Sequence, residues 1–160
     1  ANKHPRVNIL SPGSGVGGHC IAVDPYFITS KFPIESKLIS KAREINNYKS
    51  LWCVEKIQNE ILNFELDKKR KPIVALFGLS FKPNIDDLRE SPAVFIAEKI
   101  QQNYPSEKII FVEPNIDSHD KFQISLLEDA FAQSDINFIL VGHDEFNDME
   151  GDNIISFVNN

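Results

Sequence analysis

Cysteine is scarce in this chain: Cys20 and Cys53 are the only two in 160 residues. Two are too few for a disulfide framework, and neither lies in a C-x-x-C, so a reduced, cytoplasmic setting fits best and no metal site is read. Basic charge is also short. Seventeen Lys and Arg against 23 Asp and Glu leave a net charge of −6 and a pI near 5.2. That balance removes the electrostatic footprint by which nucleic acid or an anionic membrane is bound. No apolar run approaches the roughly 20 residues needed to cross a bilayer. The polar start, Ala1 to Asn8, does not read as a signal peptide. What remains is the composition of a soluble globular protein, long enough for one ordinary domain or a small domain with a segment of another.

Glycine is sparse as well, 7 in all, and its distribution is therefore informative: Gly13, Gly15, Gly17 and Gly18 fall within six residues. They sit in Pro12-Gly13-Ser14-Gly15-Val16-Gly17-Gly18-His19-Cys20-Ile21-Ala22-Val23-Asp24-Pro25. Without Cβ atoms such a loop brings backbone N–H groups close to a ligand, which makes it a plausible cradle for an anion. A thiol beside those dipoles and beside His19 is a candidate nucleophile, because only the thiolate attacks. The alternative is a structural turn carrying an inert buried Cys20, the usual fate of a free thiol. Gly13, Gly15 and Gly18 also spell G-x-G-x-x-G, but Pro12 precedes them directly and Pro25 stops any helix begun at Gly18. The dinucleotide reading needs a buried strand before the glycines and a long helix after them, so it is set aside.

Asp24-Pro25 reads as an N-cap with proline at the first helical position, opening a short helix to about Ser30. In that reading Asp24 is only a cap. From Glu35 to about Asn63 no proline or glycine interrupts, and Leu38, Ala42, Ile45 and Trp52 fall close to one side, so a long helix is expected. Val54, Ile57, Ile61 and Leu62 widen its apolar arc, which suggests burial against more than one partner and a two-fold interface. Asn46 and Asn47 read as a solvated turn of that helix. Asp67 to Pro72 reads as an exposed boundary between residues 1–70 and 71–160.

Beyond Pro72 short apolar runs alternate with helical segments. Strands are expected at Ile73–Leu79, Ile109–Val112 and Ile136–Val141, helices at Ser91–Gln102 and Leu126–Ala132, and an edge strand at Ile154–Val158. This is the signature of an α/β fold with a parallel sheet, whose ligands sit beyond the carboxyl ends of the strands. The first such connection, Gly78-Leu79-Ser80-Phe81-Lys82-Pro83-Asn84-Ile85-Asp86-Asp87-Leu88-Arg89-Glu90-Ser91-Pro92-Ala93, offers Lys82 and Arg89 to a phosphate and Phe81 to a ring. Alternatively it is a solvated loop whose acidic residues pair with those cations.

Together, the run from His4-Pro5-Arg6 through GVGGHCIAVDP and the later GLSFKPNIDDLRESPA resemble the UDP-glucose/GDP-mannose dehydrogenase family, the nucleotide-sugar 6-dehydrogenases. The similarity is greatest to the branch acting on UDP-N-acetyl-D-mannosamine. UDP-N-acetylglucosamine or UDP-glucose is the alternative substrate. The resemblance spans essentially the whole chain but only the later part of a family member, so a preceding NAD-binding domain is expected upstream. It implies a long dimerising helix followed by a Rossmann-like parallel-sheet domain that binds UDP. It further implies Cys20 as nucleophile, Asp24 as the acid group near a hydrolytic water, and Gly17 against the substrate. His4 and Arg6 would approach substrate, Phe81 and Lys82 would hold the UDP-sugar, and Arg89 would reach NAD. Relatives with a Lys-Asp pair after the cysteine differ here at Asp24-Pro25. Two other readings stand beside this one: a non-catalytic nucleotide-binding α/β module, and a cysteine hydrolase using His19 and Cys20, for which no orienting third group is apparent.

Overall fold

Three short apolar runs decide where the core lies. In the computed structural model, which describes Arg6 and residues 12–158, β1 (Val74–Phe77), β2 (Ile109–Val112), β3 (Ile136–Ile139) and β4 (Ile154–Ser156) form one sheet of order β2-β1-β3-β4. All three pairings are parallel, with Val74 opposite Ile109 on one side and Ile136 on the other. Val74, Leu76, Phe111 and Phe138 point to one face, while Ala75, Phe77, Ile110, Val112 and Ile139 point to the other. β1 is buried throughout, as expected of a central strand covered on both faces. The α/β class and the parallel sheet expected from the sequence are both present.

Helices α1 (Asp24–Lys31), α2 (Lys37–Lys68), α3 (Pro92–Asn103) and α4 (Leu127–Gln133) complete the fold. The first face of the sheet is covered by α3 and the C-terminal half of α2. The second is covered by α4 and a 3-10 turn at Asp144–Phe146. On α2 the buried residues Ser50, Cys53, Val54, Ile57 and Ile61 form one stripe at helical spacing. Burial raises the Cys53 thiol to about 11, which marks it as the inert packed cysteine of the pair.

Several boundaries differ from expectation, each for a local reason. α2 runs past Asn63 to Lys68 and ends at Lys69, whose left-handed backbone (φ 56°) stops it ahead of Pro72. Val23, not Asp24, occupies the N-cap of α1, and no side chain caps it. Asp24 is the first helical residue because its own N–H already donates to the Cys20 carbonyl (2.8 Å). β1 stops at Phe77 because the amides of Leu79 and Ser80 turn away to the Glu113 carboxylate.

Ser91 does cap its helix. Its Oγ accepts from the amides of Ala93 (3.2 Å) and Val94 (3.4 Å) and donates to the Leu79 carbonyl (2.6 Å). Replacing Ser91 by Ala is therefore expected to lower stability by about 1–2 kcal/mol. In a denaturant titration this shows as a lower midpoint at an unchanged slope. An unchanged midpoint would refute the cap.

Candidate functional site

The connection from β1 goes through α3 to β2 on one side, and the chain then crosses back to β3 on the other side of β1. In a sheet so wound, a crevice opens beyond the carboxyl ends of the two strands flanking the reversal, because their loops leave in opposite directions. A cavity of about 610 Å³ lies there, lined by Ser80, Phe81 and Lys82 after β1 and by Leu140, Val141 and Gly142 after β3. Its wall also includes the glycine stretch from Pro12 to Gly17, with Ile21, and Pro83, Pro92 and Val158. Two segments more than sixty residues apart in sequence thus share one cavity.

The glycines make that approach possible. Gly17 packs on the backbone carbonyl of Glu90 and against Pro92 so closely that a Cβ would collide with both. Gly18 (φ 89°) lies under the Phe81 ring, where a Cβ would stand 2.9 Å from Cε2, and its N–H donates to the Arg89 carbonyl (3.2 Å). The Val16 N–H is taken by Asn46 Oδ1 (2.8 Å), and the Val16 carbonyl accepts from Asn46 Nδ2 (3.1 Å). The anion-cradle expectation needs correction at these two amides: they dock the loop onto the rest of the protein. Ser14 continues the docking, donating from Oγ to the Leu140 carbonyl (3.1 Å) and accepting at its own carbonyl from Ser50 Oγ (3.1 Å).

Asn46 is the residue that sequence reasoning missed. A polar side chain midway along a helix reads as solvated, and no local signal says that it clamps a loop 30 residues earlier. Asn47 behaves similarly, donating to the Tyr26 hydroxyl (3.2 Å). With Arg43 also nearby, that bond lowers the Tyr26 phenol from its usual range.

Cys20 is exposed, so the inert buried thiol is not the state of this residue. Its carbonyl accepts from the amides of Val23 (3.0 Å) and Asp24 (2.8 Å), which places Asp24, also exposed, one turn beyond it. Phe81 is half-buried and stands edge-on to His19, ring centres 6.5 Å apart. Lys82 is exposed and makes no ion pair among the described residues. Arg89 instead grips Asp87, with Nε at 2.9 and 3.0 Å from its two carboxylate oxygens and Nη2 at 2.5 Å. That pairing holds the Asp87 carboxyl down at about 2. His19 Nδ1 lies 4.0 Å from the same aspartate. Gly17, Phe81 and Lys82 therefore share the cavity, while Cys20, Asp24 and Arg89 are exposed and do not line it. Arg6 is exposed, and His4 lies outside the described residues.

The fold and site define an α/β protein that presents a thiol loop beside a nucleotide-sized crevice. The UDP binding domain of the UDP-glucose/GDP-mannose dehydrogenase family matches residues 75–160, and that family's central domain matches residues 1–48. The chain belongs to the UDP-glucose/GDP-mannose dehydrogenase family. It is 47% identical over 162 aligned residues to the UDP-N-acetyl-D-mannosamine dehydrogenase of Escherichia coli (strain K12), covering 96% of this chain and 38% of that protein. Its identity to the Campylobacter jejuni protein of the same name is 46% over 164 residues, covering 98% of this chain and 39% of the other. Among solved structures, a UDP-D-ManNAc dehydrogenase from Pyrococcus horikoshii superposes with a TM-score of 0.79 at 32% identity, over 99% of this chain and 38% of that one. The chain spans about two fifths of the length of these relatives. No helix among the described residues is long and apolar enough to cross a membrane.

Proposed function

We propose that this chain is the substrate-closing part of an NAD-dependent nucleotide-sugar 6-dehydrogenase acting in the cytoplasm on UDP-N-acetylmannosamine. It carries the nucleophile and the UDP site, while the dinucleotide domain lies elsewhere in the protein. The single observation that carries this reading is the convergence of the Cys20 loop and the Phe81–Lys82 loop on one crevice at the reversal of the sheet. The residues present fit only the edge of a dinucleotide. Gly13, Gly15 and Gly18 neither follow a strand nor open a long helix among the described residues, and Arg89 is an exposed cation, paired with Asp87, that does not line the cavity. NAD, when bound, would supply the hydride acceptor, one molecule for each of the two hydrides lost by the sugar's primary alcohol carbon.

This chain's own residues do the remaining work. Lys82, exposed at the cavity wall, binds the diphosphate, and Phe81 packs beside the nucleotide or sugar. Cys20 Sγ, as thiolate, adds to the carbonyl carbon of the first oxidation product, and the oxygen takes up a proton to give a thiohemiacetal. Loss of the second hydride and of that hydroxyl proton leaves a thioester on Cys20. Asp24, one helical turn on, orients and deprotonates the water that attacks the acyl carbon. The carbon–sulfur bond then breaks, releasing carboxylate and returning the thiolate.

Assembly belongs to the same proposal. Leu38 (83% exposed), Ile34 (73%) and Phe27 (69%) leave the N-terminal half of α2 and its approach apolar and uncovered within one chain. A second copy covering this face, making a homodimer through the 35–63 helix, accounts for it.

The reading is tested by titration calorimetry with UDP. Lys82→Ala is expected to weaken binding about ten- to a hundredfold, the loss of one charge-assisted contact of roughly 1.5–3 kcal/mol, more so at low salt. UDP binding indifferent to Lys82 would overturn the assignment.

A further inference from the structure

The proposed chemistry makes no use of a fully buried carboxylate–imidazole pair in the fold. Glu113 follows β2 and His143 follows β3, and the parallel order brings both under the loop that leaves β1 between them. Both side chains have zero exposure, with His143 Nε2 3.0 Å from Glu113 Oε2. The same oxygen accepts the amides of Leu79 (2.7 Å) and Ser80 (2.9 Å). Glu113 Oε1 accepts the amide of Asn115 (3.1 Å) and its Nδ2 (3.2 Å). On the far side of the ring, His143 Nδ1 accepts the amide of Asn84 (2.9 Å), which puts the ring proton on Nε2, toward the glutamate. Burial raises the Glu113 carboxyl, but His143 and the two backbone amides outweigh it and hold the group at about 2.

Both ends of one short segment are thereby tied to the same carboxylate and imidazole: Leu79 and Ser80 at its start, Asn84 at its end. Ser80 Oγ closes the segment internally by donating to the Lys82 carbonyl (2.7 Å). Asn84 sits in the left-handed region (φ 60°) and its Oδ1 accepts the Asp144 amide (2.9 Å), so its unusual backbone is held from two sides. The trio of Ser80, His143 and Glu113 is no hydrolase triad, because serine (3.3 Å) and glutamate (3.0 Å) face the same ring nitrogen. Nor is stability a sufficient reason for it, since apolar side chains of similar volume often serve a core as well as buried charged groups do.

We propose that Glu113 and His143 are positioning residues: they fix the backbone from Leu79 to Asn84 so that Phe81 and Lys82 face the cavity. The inference rests on the reading above that Phe81 and Lys82 hold the UDP-sugar. Neither Glu113 nor His143 lines the cavity, so their effect on binding is transmitted through that backbone.

The test is steady-state kinetics and UDP titration on the full-length protein. Glu113→Gln keeps the shape, but its single carbonyl oxygen cannot serve both the amides of Leu79 and Ser80 and the two donors of Asn115, and its NH2 faces donors where the second oxygen was. It is expected to raise KM for the UDP-sugar and Kd for UDP about tenfold, with kcat and the KM for NAD nearly unchanged, the pattern of lost uniform binding at the nucleotide end. Ile100→Ala, a truncation in α3 away from the loop, serves as a destabilised control and should leave both constants alone. If Glu113→Gln does not fold, Asn115→Ala at the half-buried edge of the network takes its place, with a smaller rise in the same two constants. An unchanged KM and Kd in the folded variant, or an equal rise in Ile100→Ala, overturns the positioning role. Absence of UDP binding by the unmodified protein would refute the UDP-site reading itself, which keeps the two failures apart.

Discussion

Cys20→Ser in the full-length protein is expected to reduce carboxylate formation by about a thousandfold or more, because a serine hydroxyl is a poor nucleophile toward the aldehyde and a poorer leaving group from the acyl state. The substitution changes one exposed atom, so the fold and UDP affinity should be unaltered. Cys53→Ser provides the contrast. Cys53 is fully buried in the α2 stripe, with its thiol pushed up to about 11, so its loss should affect stability and leave the chemistry intact. Measuring acid production alongside UDP titration separates the two cysteines. Normal turnover by Cys20→Ser would remove the nucleophile assignment altogether.

Gly17→Ala should be the most damaging change that touches no reacting group. Its Cβ would run into the Glu90 carbonyl oxygen and stand 2.7 Å from Pro92 Cδ, and neither neighbour is the end of a flexible side chain. The two loops must separate to admit it. Overpacking of this kind costs about 1–3 kcal/mol. Since Cys20 rides on the displaced loop, a shift near 1 Å is expected to cost roughly a hundredfold in acid formation. Gly13→Ala makes the comparison, because its Cβ would meet only Val158 Cγ1 at an ordinary 3.7 Å. Stability there should change by less than about 0.5 kcal/mol. Thermal denaturation and turnover of both variants check the argument, and equal tolerance at the two positions would sink it.

The meeting of the glycine stretch with the Phe81–Lys82 loop was legible in the sequence through the family resemblance alone, since nothing in spacing joins residue 17 to residue 90. The alternative reading of the loop, in which cations pair with their acidic neighbours, describes Arg89, which holds Asp87 at 2.5 Å. For Lys82 it does not. One motif therefore divides between a solvated ion pair at its far end and a cation at the cavity wall at its near end. Asn46 and the Glu113–His143 pair were not legible at all. Each is an isolated polar residue whose partner lies at a separation of 30 residues in sequence, and no local periodicity reports a contact of that range.

Local chemistry on the sequence was sufficient for the elements. The apolar runs at Val74–Phe77 and Ile136–Ile139, the Ser91-Pro92 cap and the uninterrupted α2 each depend on neighbours within a few residues, and each appears where that chemistry puts it to within a few positions. Dense glycine around Gly17 likewise marked a place of close backbone approach before its partner was known. Tertiary structure alone decided what approaches. The order β2-β1-β3-β4 opens the crevice between β1 and β3, the Glu90 carbonyl fills the space that Gly17 leaves, and Asn46 reaches the loop only because α2 packs beside it. Those contacts depend on how whole elements pack and on the reversal of the sheet, and a free energy of that kind is a property of the assembled chain rather than of any window along it.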